Sequence, residues 1–189
     1  MSDWKTTEAS EIYDNPWVKI SHRAVKTPNH TNAIYGKVHF KNLAVGIIPV
    51  LDDNRLVLVG QQRYTLGDYS WEIPEGGCLL GNDPLQAAKR ELREETGWTA
   101  AYWKQVLLLH TSNSVTDERA LIFLATMLED SMAQPDHTEK IKLKYASLEQ
   151  CVQMINRGEI SDAMSVSALF WYAREGKRII QEDIQVVEK

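Results

Sequence analysis

The sequence predicts an α/β fold with a small β-rich region at its N-terminus, and three observations carry that expectation. Two apolar, β-branched runs, Leu43 to Val50 and Leu56 to Gln62, have the length and composition of buried strands. The stretch from Asp83 to Gly97 has the grammar of a helix: Asp83 placed to cap it, Pro84 at the first helical position, Gln86 completing a capping-box pattern and Gly97 ending it. Further strand-like runs at Lys104 to His110 and Ala120 to Met127 then give way to helical stretches from Ser147 to Gly158 and from Asp162 to Arg174. A chain of 189 residues, 43% of them hydrophobic, is long enough for one well-buried core. The expected division is an N-terminal β-rich segment over 1–41, a main domain over 42–178 and a short tail over 179–189.

Each element follows from local signals. From Trp4 to Lys41, turn signals at Asn15-Pro16 and Thr27-Pro28-Asn29-His30 separate weakly alternating segments, Trp17 to Ile20 and Ala33 to Phe40, which predicts two or three short strands. The two apolar runs that follow are joined by Asp52-Asp53-Asn54, which predicts a hairpin. Asp130 to Lys140, with Pro135 at its centre, is expected to be a loop leading into a strand from Ile141 to Tyr145. Ser147 is placed to cap the next helix and Gly158 to stop it. The stretch from Asp162 to Arg174 is apolar enough to pack on the sheet, and Ile179 to Lys189 is amphipathic at best.

Composition narrows the functional classes. The net charge is −5, from 26 acidic and 21 basic residues without a basic cluster, so the field of the protein disfavours nucleic-acid backbones as partners. Cys78 and Cys151 are too few for a disulfide framework or a zinc site, and a packing role in a reducing compartment is expected. The N-terminus is polar, and no apolar run approaches the ~18–20 residues that span a bilayer. The expectation is a cytoplasmic protein with no membrane partner.

The predicted helix from Asp83 carries the most chemistry. Glu91, Glu94 and Glu95 are spaced three and four residues apart, so their side chains project from one arc of roughly 100°. Leu85, Ala88 and Leu92 point elsewhere, toward a core. Like charges at this spacing cost a helix about 0.2–0.5 kcal/mol per pair, which a hard divalent cation would remove. Carboxylate oxygens are the preferred ligands of Mg²⁺, which bridges protein carboxylates to substrate phosphates. The competing reading is a solvated acidic face balanced by Lys89, Arg90 and Arg93.

The spacing of Gly76, Arg90-Glu91-Leu92 and Glu94-Glu95-Thr96-Gly97-Trp98 resembles the signature of the Nudix hydrolases, G-x5-E-x7-R-E-U-x-E-E-x-G-U with U apolar. Every fixed position but one matches; the first glutamate of the pattern is Asn82 here, where the family places a structural partner for the arginine equivalent to Arg90. Upstream, Gln61-Gln62-Arg63-Tyr64 and Trp71-Glu72-Ile73-Pro74 resemble the run that precedes the signature in members acting on ADP-ribose and related nucleoside diphosphate sugars. The resemblance implies a Nudix α/β/α sandwich around a mixed β-sheet. It implies Mg²⁺, with Mn²⁺ as a substitute, held by Glu91, Glu95, Glu94 and the backbone carbonyl of Glu75.

The same resemblance implies a phosphate contact for Arg63, whose guanidinium suits bidentate recognition; a surface ion pair is the alternative. Glu72 is a candidate to line the pocket, and burial at a strand end is equally open to it. Trp17, with Tyr35 behind it, is a candidate to stack on a base, against a core role for both. Glu118, in the loop from Thr111 to Arg119, is a candidate for sugar hydroxyls. Glu139 matches the general base best, with His137 and Glu118 as rivals; an unperturbed histidine pKa near 6.5 would suit the role. Asn113 and Ser114 occupy the region where ADP-ribose-specific members carry a proline, so the implied substrate is the wider nucleoside diphosphate sugar class, of ADP-ribose or GDP-mannose type. A homodimer built through the N-terminal region is also implied. The alternatives are a dinucleoside polyphosphate or nucleoside triphosphate pyrophosphohydrolase, and a non-catalytic Nudix-like nucleotide-binding module.

Overall fold

The computed structural model describes residues 3–131 and 140–187. Strands β1 (Lys5–Asp14), β2 (Val18–Lys26) and β3 (Asn32–Phe40) form a separate antiparallel sheet. They run nine or ten residues each, longer than the weak alternation suggested, and every residue of β1 is exposed. This sheet is fastened to the rest of the chain by a parallel bridge between Val38 and Thr116. Asp117 reinforces the join, accepting from the Phe40 N–H at 3.0 Å and pairing with Lys37 and His39 at 2.7 Å each.

The main body holds two further sheets. In one, β4 (Asn42–Pro49) is paired antiparallel to β7 (Glu75–Leu79) and parallel to β9 (Arg119–Asp130), which pairs in turn with β8 (Trp98–His110). In the other, β5 (Leu56–Arg63) lies between β6 (Asp68–Glu72) and β10 (Lys142–Ala146). The predicted hairpin of β4 and β5 is therefore corrected: a lone bridge from Val50 to Leu56 joins them before they part into different sheets. The reason is burial. Both runs are apolar on both faces, and such strands are satisfied only with a neighbour on each side and a layer above and below.

The mixed sheet is covered on both faces. Val45, Ile47, Phe123 and Ala125 pack against Ala87, Ala88 and Leu92 of helix α1 (Pro84–Thr96). Ile48, Ile122 and Leu124 alternate with them and point the other way, toward Cys151 and Met154 of α2 (Leu148–Asn156) and Met164, Ala168 and Leu169 of α3 (Ala163–Trp171). The period of two along each strand thus makes an α/β/α sandwich, as expected. Both cysteines are buried and unbridged.

The helix ends obey their signals with one exception. Asp83 accepts from the Leu85 N–H and Gly97 takes the left-handed conformation at φ 75°, but the reciprocal Gln86 bond of a capping box is absent from this cap. Ser147 and Gln150 do form such a box on α2. Beyond α3 the chain continues through a π-helical turn, Tyr172–Gly176, into α4 (Lys177–Val187), so the tail is helical. No helix among the described residues is long and apolar enough to cross a membrane.

Candidate active site

The acidic face of α1 lies against the β7 strand at its closest approach. Gly76 has no Cβ, and one added there would come 2.2 Å from the Glu91 carboxyl carbon, so only glycine lets this carboxylate settle onto the strand. One turn further along, Glu95 is buried at 7% exposure and accepts the Glu75 N–H at 3.0 Å. Glu94 stays more exposed. Helix and strand are thereby locked in register at the two positions where carboxylates face the cleft.

The opposite wall is built by β5 and β6. Arg63 donates Nε to both Glu72 oxygens at 3.0 Å and Nη2 to Glu72 and, at 2.7 Å, to Glu75 Oε1. Glu72 is 2% exposed, so this is an interior ion pair and not the surface pair that sequence alone left open for Arg63. Burial by itself would lower the Arg63 pKa, but the hydrogen bonds and charges of Glu72 and Glu75 carry it well above the ordinary arginine value. Glu75 moves in the opposite sense for a carboxylate. Its burial, with the charges of Asp162 and Glu72 close by, pushes its pKa well above 4.5 despite Arg63. Its Oε2 is buried with no hydrogen-bond partner among the described residues.

Arg63 and Glu75 line one cleft of about 510 Å³ with Glu91, Glu94 and Glu95, whereas Glu72, buried behind Arg63, is not part of its lining. Trp17, 63% exposed, stands at the same cleft. A core role for Trp17 is thus replaced by an open aromatic face. Gln61, Gly76, Gly77 and Ile141 complete the lining. Gln61 entered the sequence analysis only as part of the run before the signature, without a role at the site, although it sits two positions before Arg63 on β5 and therefore on the same face. Ser165 was also missed: wholly buried in an apolar helix, it accepts the Ile73 N–H at 3.0 Å and so holds the segment that carries Glu72 and Glu75.

Other candidates lie apart. Glu118 accepts a bond from the Thr111 hydroxyl at 2.5 Å and does not border the cleft. Tyr35 meets Trp4 edge-on at 5.8 Å and bonds the Ser114 carbonyl, also away from it. Glu139 and His137 lie outside the described residues.

The donor set is all oxygen, with one buried carboxylate oxygen left unpartnered, and this chemistry fits a hard divalent cation. Among the described residues no three acidic or other ligating side chains already converge as a cation shell. Arg90 spans this face, 2.5 Å from Glu91 and 3.4 Å from Glu94.

Comparison with known proteins bears on the fold and the family. A solved structure of an ADP compounds hydrolase superposes with a TM-score of 0.82 over 95% of each chain at 20% identity, a likeness of fold. The ADP-ribose pyrophosphatase of Bacillus subtilis is 28% identical over 172 residues, covering 87% of this chain and 90% of that one. A protein of Bacillus methanolicus named methanol dehydrogenase activator is 30% identical over 167 residues, with the same coverage of 87% and 90%. The NUDIX domain matches residues 40–169, a span that contains both walls of the cleft except Trp17, and the chain accordingly belongs to the NUDIX family.

Proposed function

We propose that this Nudix pyrophosphohydrolase cleaves the pyrophosphate of a nucleoside diphosphate sugar, giving a nucleoside monophosphate and a sugar phosphate. The observation that carries the reading is the meeting of three carboxylates of α1 with Arg63 and Trp17 in one cleft. ADP-ribose heads the substrate class because several relatives bear the name ADP-ribose pyrophosphatase; GDP-mannose is its nearest rival.

A pyrophosphate resists water because its negative charge repels a nucleophile. Glu91, Glu94, Glu95 and the Glu75 carbonyl would hold Mg²⁺, or Mn²⁺ in its place. Once bound, that ion supplies neutralisation of the phosphate charge and a template for substrate oxygens. Arg63 adds the permanent positive charge on the other wall. Its Nε and Nη2 are committed to Glu72 and Glu75, which leaves Nη1 for a phosphate oxygen, and Glu72 acts by fixing the plane of the guanidinium. Trp17 stacks on the base at the cleft's edge. Water attacks one phosphorus, the bond from that phosphorus to the bridging oxygen breaks, and Glu139 takes the water's proton. Glu118, which stands outside this cleft, is retained as the candidate for the sugar hydroxyls. Homodimerisation through the N-terminal sheet is supported by the exposure of Trp4, Ile12, Tyr13 and Ile34 there. The setting is cytoplasmic.

The test is a screen with Mg²⁺ across ADP-ribose, GDP-mannose, UDP-glucose and diadenosine polyphosphates, with products separated by chromatography. The expected result is AMP and ribose phosphate from ADP-ribose. A second reading, a regulatory module without catalysis, has the relative named an activator behind it. Calorimetric binding of these ligands without any turnover would select it over hydrolysis.

A further inference from the structure

Arg90 stands on the acidic face of α1 and holds several groups at once. Its Nη2 donates to the Gly77 carbonyl at 3.0 Å and to Glu91 Oε1 at 2.5 Å, while its Nε lies 3.4 Å from Glu94 Oε2. The same side chain borders a second cavity of about 480 Å³, shared with Asn82, Asp83 and Gln86. Asn82 and Gln86 are neutral, and Asp83 turns its carboxylate to the Leu85 N–H at the start of the helix. Among the described residues the guanidinium therefore finds its carboxylate partners on the cleft side, at Glu91 and Glu94.

We propose that Arg90 is a built-in counter-ion that competes with the divalent cation for Glu91 and Glu94, and that Asn82 keeps the competition strong by offering Arg90 no rival carboxylate. The inference rests on the metal-binding reading of the acidic helix. A cation that takes Glu91 must displace the guanidinium from it, while the bond to Gly77 keeps Arg90 within reach. Apparent cation affinity then falls by the fraction of molecules in which Glu91 is paired. A carboxylate on the Asn82 side of Arg90 would lower that fraction without touching a ligand. Position 82 thus sets the metal concentration at which the site fills.

The experiment is a titration of the metal-stripped full chain with Mn²⁺ at fixed ionic strength. It is followed by calorimetry and by the paramagnetic resonance signal of free Mn²⁺, so that no turnover is needed. Asn82→Glu is expected to tighten Mn²⁺ binding by about three- to fivefold, the scale of competition from one half-exposed ion pair. Leu80→Glu places a carboxylate in the same exposed turn but outside the Arg90 cavity, and is expected to change affinity less than twofold. In an Arg90→Gln background, verified as folded by circular dichroism, Asn82→Glu is expected to add nothing. Equal tightening by Leu80→Glu and Asn82→Glu would reduce the effect to a general field and overturn the proposal, as would no tightening by Asn82→Glu. Failure of the underlying reading looks different: Mn²⁺ binding by the unaltered chain would then be absent, or would survive Glu95→Gln.

Discussion

Two arginine–glutamate groups flank the cleft, and they differ in how deeply their carboxylates are set. Arg63 joins Glu72 and Glu75 in the interior, where the Glu72 side chain is 3% exposed and that of Glu75 16%. Arg90 joins Glu91 and Glu94 nearer the rim, where the Arg90 and Glu94 side chains are more than two-fifths exposed and that of Glu91 is 15% exposed. An interior pair was desolvated when the chain folded, so removing one partner strands the other; a rim pair exchanges its partner for water at little cost. The difference divides the site into a wall that must not move and a face that can be rearranged.

The largest expected effect falls on the residue that ties the two together. Glu95→Gln should lower Mg²⁺-dependent hydrolysis at least ~100-fold while leaving the circular dichroism spectrum unchanged; retained turnover would remove α1 as the metal platform. Next comes stability. Glu72→Ala should cost about 2–3 kcal/mol in urea unfolding, because Arg63 loses its three hydrogen bonds to Glu72 and keeps only the one to Glu75. Glu94→Ala at the rim should cost less than ~1 kcal/mol. If the two losses were equal, the contrast between wall and face would be wrong.

Smaller effects sharpen the same contrast. Gly76→Ala should displace only the end of a flexible side chain, the Glu91 carboxylate. It should thus reduce activity about tenfold with a stability change below ~1 kcal/mol, measured by paired assays and melts. The smallest effect is a pH dependence at Glu75, whose pKa is raised by burial and by Asp162 and Glu72. A raised carboxylate pKa means that protonation favours the folded state: the contribution is complete below about 4.5 and is lost as pH rises through the folded-state value. Glu75→Gln should therefore gain in stability relative to the unaltered chain between pH 4 and pH 8. A constant difference across that range would contradict the interior setting of the group.

The same division explains what could be read in advance. The face was legible because it is local: Asp83, Pro84 and Gly97 fix the helix, and a helix fixes where Glu91, Glu94 and Glu95 point. The wall was legible only in part. That Arg63 belongs to the cleft came from resemblance, but its pairing with Glu72 depends on how β5 and β6 register, Val59 opposite Glu72 and Arg63 opposite Asp68, which no local signal encodes. Separation of β4 from β5 was hidden for a related reason, since two adjacent apolar runs fit a hairpin and two central strands equally well. Ser165 gave no signal at all, being one hydroxyl in an apolar helix whose value appears only when Ile73 arrives beside it.

The parallel pairing of β4 with β9 bears on how the chain is made. Ala44 meets Ala120 across this pair, and the whole of α1 lies between them in the chain. A nascent chain that has not yet reached Ala120 has no completed sheet for Ala88 and Leu92 to cover, so the acidic helix emerges before the surface that orients it. Long-range pairings of this kind close slowly. Synthesis halted between Gly97 and Arg119 should yield every carboxylate of α1 and no active site.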